Sequence, residues 1–113
     1  MRFLRHLPTA APESLNSLIQ YRPNQVCSMS LYQSQEVQIT LLAFDKEEGV
    51  SEELYPGDTL FFMVDGEMTL TAGAKEHLRK KGQVMAIPAG VLHSLKSAVS
   101  FKILQITAVT SAN

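Results

Sequence analysis

The sequence predicts an all-β fold, a small sandwich or barrel. Three observations carry this: about eight short β-rich runs, glycine or proline at most of the connections between them, and period-two alternation within them. The 113 residues fit a single domain, and an apolar content of 45% is enough for one compact core.

Residues 1–24 read as an extension that packs on the barrel, and residues 25–113 as the barrel itself. Within the extension, Pro12 followed by Leu15, Leu18 and Ile19 has the proline start and leucine spacing of a short helical turn. Arg22-Pro23-Asn24 breaks it. Val26 to Tyr32 is the first strand. Val37, Ile39, Leu41 and Ala43 share one face of the next, with Gln38, Thr40 and Leu42 on the other. Asp45 to Gly49 is a charged turn, and Tyr55-Pro56-Gly57-Asp58 a second turn. Thr59 to Val64 is apolar on both faces, as in a strand between two layers. Thr59, Phe61 and Met63 form one face; Leu60, Phe62 and Val64 form the other.

Asp65-Gly66 marks a tight hairpin into the return strand Met68 to Thr71. His77 to Arg79 is a short strand in a lysine-rich segment that reads as a solvated edge guarded against stray pairing. A glycine turn at Gly82 leads to the strand Val84 to Ile87. Pro88-Ala89-Gly90 makes a sharp corner, His93 to Leu95 begins another strand, and Phe101 to Val109 is the last.

The formal net charge of −1 supplies no field to attract nucleic acid or an anionic membrane. Cys27 is the single cysteine, so no intramolecular disulfide can form. No apolar run reaches the roughly 20 residues that span a bilayer. The first twelve residues make a poor signal peptide, because His6, Pro8 and Thr9 interrupt their apolar content. The expectation is a soluble, cytoplasmic protein with neither nucleic acid nor membrane as partner.

The most specific motif is Gly82-x5-Pro88-x-Gly90-x2-His93-x3-Ser97. It resembles the second motif of the cupin family, G-x5-P-x-G-x2-H-x3-N, at four of five positions, Ser97 standing in place of asparagine. Upstream, Val64-Asp65-Gly66-Glu67 is similar to the hairpin that closes the first cupin motif. The resemblance covers roughly residues 37–110. It implies a double-stranded β-helix, or jelly-roll, of the small single-domain cupin 2 type, with the Thr59 face turned inward.

Metal-binding members of that family hold Fe, Mn, Ni, Cu or Zn with three histidines and a carboxylate. Counting back from Gly66 gives Glu53, Tyr55 and Thr59 as the corresponding positions here, and the second motif supplies His93. This is a degraded set: threonine and neutral tyrosine are poor ligands, leaving Glu53 and His93 as the only candidate metal donors, below the three or four that retain a metal. His77 and His6 lie in an exposed hairpin and in the extension. The expectation is no stable metal and no cofactor.

The resemblance also places a ligand pocket at Glu53, Tyr55, Thr59, Phe61, Met63, Met85 and His93. Such a set reads either as plain core or as an apolar pocket for a small organic molecule. His93 with Glu53 or Tyr55 has the make-up of an acid–base pair. A binding module near His93 and a small enzyme, either a metal-free isomerase or epimerase or a metal-dependent oxygenase, both remain open, and catalytic residues are not assigned. Finally, the apolar Leu60, Phe62 and Val64 face must be covered by the extension or by a second subunit. A homodimer with Val26 to Tyr32 near its interface is expected.

Overall fold

A computed structural model describes residues 4–109 of the chain. It contains nine strands: β1 Val26–Gln33, β2 Val37–Phe44, β3 Val50–Glu53, β4 Asp58–Asp65, β5 Glu67–Ala72, β6 Lys75–Lys80, β7 Val84–Ile87, β8 His93–Lys96 and β9 Phe101–Ala108. They form two antiparallel sheets, a five-stranded one in the order β1-β2-β9-β4-β7 and a four-stranded one in the order β3-β8-β5-β6. The crossing order of consecutive strands between the two sheets is that of a jelly-roll barrel.

Alternation decides what lies between the sheets. Phe61 and Met63 of β4, Phe101 and Ile103 of β9, Phe44 of β2 and Leu70 of β5 are all buried in one core cluster. Phe44 and Phe101 stand opposite each other in register, their rings stacked 4.4 Å apart. Such a pair adds about 0.5–1.5 kcal/mol beyond the area it buries.

The opposite face of the five-stranded sheet is also apolar and has its own cover. Leu7, Leu15, Leu18, Ile19 and Tyr21 pack against Leu41, Ala43, Phe62 and Val64 there. Lys102, on that face of β9, ties the segment down. It is 5% exposed, its Nζ donates to the Asn16 carbonyl at 2.7 Å, and it sits 4.7 Å above the Tyr21 ring. Tyr21 in turn donates its hydroxyl to Asp65 Oδ2 at 2.7 Å, and burial and then Asp65 raise its pKa.

The expected helical turn is present as a single 3-10 turn, Leu15–Leu18, and one element differs from the sequence reading. Strand β3 runs where the sequence suggests only the approach to a turn. Its residues Val50-Ser51-Glu52-Glu53 lack apolar alternation, and pairing with β8 rather than propensity makes them a strand.

Gly66 joins β4 to β5 with φ at +71°, and a Cβ there would collide with the Ser100 carbonyl. Only glycine fits this close backbone approach. At the end of the second motif, Ser97 accepts the turn's Val99 N–H at 3.1 Å and donates to the Glu67 carbonyl at 2.8 Å. The hydroxyl thus anchors the turn at the position where the motif carries asparagine.

Candidate binding site at the barrel mouth

The corner Pro88-Ala89-Gly90 places His93. Gly90 has φ at +79° and donates its N–H to the Tyr55 carbonyl at 2.9 Å, while Ala89 N–H donates to Asp58 Oδ1 at 2.8 Å. The corner is thereby fastened to the loop that carries Tyr55. His93 opens β8, opposite Glu53 of β3 and Ala72 of β5, and is 2% exposed.

Its Nδ1 lies 3.0 Å from the Val91 carbonyl. A carbonyl only accepts, so Nδ1 carries a proton, and in the neutral imidazole Nε2 is then the acceptor. That Nε2 is buried and has no hydrogen-bond partner among the described residues. The imidazole is walled by two aromatic rings, Tyr55 at 5.1 Å and Phe61 edge-on at 5.7 Å.

Tyr55 donates its hydroxyl to Glu53 Oε2. Burial first, then the hydrogen bond and negative charge of Glu53, push the tyrosine pKa up to about 12, against a smaller opposing effect of Gln105. Tyr55 is therefore a protonated donor at neutral pH, not a base. Behind it, Thr59 and Thr107 join hydroxyls at 3.2 Å across the β4–β9 pair.

A cavity of about 240 Å³ opens beside Tyr55, lined by Gln38, Gln105 and Thr107 with Gln35, the exposed Glu36 and Val109 around them. At roughly 30 Å³ per water it holds a small molecule on the order of eight to ten non-hydrogen atoms. The sheet register explains its chemistry. Gln38, Thr107 and Thr59 form one row across β2, β9 and β4, and Thr40, Gln105 and Phe61 the next. The inward face of this sheet is thus apolar at one end and rich in amides and hydroxyls at the other.

Of the seven residues expected to form the pocket, Tyr55 lines this cavity, and Glu53 is its bonded neighbour. Thr59, Phe61, Met63 and His93 are buried at 1%, 2%, 1% and 2% exposure, behind the mouth. Met85 packs half-buried against the same core, opposite Phe61. The residues missed from sequence are Gln38, Gln105 and Thr107. For Gln38 the signal was the polar side of the β2 alternation, which reads as solvent-facing; Gln105 and Thr107 lie on β9 and join it only through the sheet register.

The four positions of the metal-binding motif offer few free donors. Thr59 is committed to Thr107, and Tyr55 is protonated and bonded to Glu53. That leaves one carboxylate and one imidazole nitrogen, and among the described residues no three His, Cys, Asp or Glu side chains converge. This donor set does not fit a resident transition metal.

Among solved structures, a cupin superfamily protein from Desulfitobacterium hafniense matches at a TM-score of 0.92 and 42% identity, over 95% of this chain and 98% of that one. A conserved protein of unknown function from Streptococcus pyogenes matches at 0.93 and 24% identity, over 99% and 98%. A cupin 2 conserved barrel domain protein from Leptotrichia buccalis matches at 0.80 and 27% identity, over 83% of this chain and 46% of that one. No family model and no curated protein matches the chain. Among the described residues no helix is long and apolar enough to cross a membrane.

Proposed function

The chain belongs to the cupin superfamily, and on that footing we propose that it binds a small organic molecule at the mouth of its barrel, without a stable metal. Tyr55 carries this reading. It faces the cavity lined by Gln38, Gln105 and Thr107 on one side and packs on His93 on the other. Primary amides and hydroxyls each donate and accept, and they suit a ligand that orients through several neutral hydrogen bonds. Nε2 of His93 lies one ring deeper, without a partner among the described residues.

The test is a thermal-shift screen of small polar compounds at fixed salt, run beside elemental analysis of the purified protein. A hit that stabilises the native chain and loses its effect in Tyr55→Phe and Thr107→Val supports the site. Hits that act equally on all three proteins, or stoichiometric metal that disappears in His93→Ala, contradict it.

The same geometry favours one second reading, a metal-free isomerase or epimerase. Nε2 of His93 is unpaired among the described residues and sits behind Tyr55, a protonated hydroxyl suited to donate. Exchange of a substrate carbon-bound proton with deuterated solvent, abolished in His93→Leu, distinguishes it from binding alone.

We also infer a homodimer. The extension covers one end of the outer sheet face. At the other end Leu60, Ile106, Ile39 and Tyr32 remain in one half-buried apolar row across β4, β9, β2 and β1. A second copy seated there would bury the row. Sedimentation giving only monomer at micromolar concentration contradicts this.

A further inference from the structure

Strand β6 is inside out. Lys75, His77 and Arg79 stand opposite Ala72, Leu70 and Met68 of β5. Directly opposed residues share a face, and Leu70 and Met68 are buried core at 0% and 1% exposure. The three basic side chains therefore start on the interior side of the sheet. Leu78, between them, points out and is 51% exposed. A slip of one residue would reverse this polarity and bury the leucine, yet the register holds along all six residues of the strand.

The strand also lies at a gap. β6 is the edge of the four-stranded sheet and β7 the edge of the five-stranded one, so each has a single hydrogen-bonded neighbour. Arg79 reaches across this seam to Met85 of β7. Its Nε and Nη2 lie 3.3 and 3.2 Å from the Met85 sulfur, and Nη1 donates to the Leu78 carbonyl at 3.2 Å. A thioether is a weak acceptor. The two-donor edge of a half-buried guanidinium is thus spent on a group that returns little for the water it lost. Among the described residues the one ion pair is Lys96 with Glu76, which leaves Arg79 without a carboxylate.

We propose that the β6–β7 seam binds the oxyanion of a small molecule, a carboxylate or a phosphate. Arg79 supplies the Nε–Nη2 fork, Lys75 further positive charge along the strand, and His77 a ring N–H donor. Two adjacent anionic oxygens match the fork bidentately and replace the sulfur with a charge-assisted partner. His77 precedes Arg79 by roughly 6.6 Å along the strand, within reach of the far side of the same group. The site is separate from the mouth cavity and does not depend on it.

Inward charges also protect sheet edges from stray pairing, and this is the competing explanation. It accounts for lysines, but it does not call for a planar guanidinium aimed at a sulfur. The two separate in a stability titration at constant ionic strength, with chloride replaced stepwise by inorganic phosphate and, in a second arm, by acetate. Phosphate stabilises proteins generally, so the readout is the difference between variants. The expected result is a saturable stabilisation in at least one arm, weakened at least tenfold in apparent affinity by Arg79→Met and by the fork-breaking Arg79→Lys. It should be unchanged in Lys81→Met, an exposed turn lysine. The arm that responds identifies the oxyanion. Equal responses in wild type and both Arg79 variants, no difference from chloride, or self-association of Arg79→Met with an intact oxyanion response would each overturn the proposal.

Discussion

Replacing His93 by leucine should leave the fold almost as stable as before, although the residue is 2% exposed. The magnitude follows from its contacts. A buried acceptor with no partner costs about 1–3 kcal/mol, and Nε2 is such an acceptor. Leucine removes that cost. Against it stand the Nδ1–H bond to the Val91 carbonyl, worth about 1 kcal/mol net, and ring packing against Tyr55 and Phe61, worth about 0.5–1.5 kcal/mol. The terms nearly cancel, and the variant should lie within about 1 kcal/mol of wild type. Urea denaturation reads this as a small change in midpoint at constant m-value, with m about 1–3 kcal/mol per molar. A loss of about 3 kcal/mol or more would refute the reasoning, since it would mean that Nε2 has a strong partner in the native protein.

Three further outcomes follow. Phe61→Ala should cost about 3–5 kcal/mol in the same assay, because its ring is fully buried between the sheets and the space cannot collapse around the edge of His93. Gly66→Ala should cost about 2 kcal/mol or more, the sum of a left-handed alanine and a clash with the Ser100 carbonyl; Gly73→Ala, also at positive φ but with open space around it, should cost less. Stability should also fall in alkali. The pKa values of Tyr21 and Tyr55 are raised in the folded state, so their contribution is fully present below the unfolded value of 10.0 and is lost as pH rises through the folded value, about 12 for Tyr55. Urea midpoints that stay flat across this window would contradict the Glu53–Tyr55 and Asp65–Tyr21 bonds.

Much of the barrel was legible because its signals are local. The spacing from Gly82 to His93 encodes a turn, a strand and a corner, and Gly82 and Gly90 take the positive φ that spacing requires. Alternation in β4 correctly separated the core face, Phe61 and Met63, from the covered face, Phe62 and Val64. What was not legible depends on distant partners. β3 is a strand because β8 lies beside it. Gln38 and Gln105 face a cavity because they continue the inward face that carries Phe61 and Ile103, and a glutamine carries no mark of which side it faces. The lysine-rich segment around His77 was expected to be a solvated edge. β6 is an edge, but the register with Leu70 and Met68 turns His77 and Arg79 inward, and no local pattern announces that inversion. His93 itself was placed by its motif. That its Nε2 would be unmatched, and Tyr55 the group in front of it, required the packed rings.

The most direct test of ligand binding at the mouth is an NMR titration of uniformly 15N-labelled protein with the compounds that stabilise it. The side-chain amides of Gln38 and Gln105, labelled along with the backbone, report on the cavity directly. They should shift on binding, and the shifts should vanish in Thr107→Val. Stabilising compounds that leave both amides unmoved while shifting residues elsewhere would contradict a site beside Tyr55.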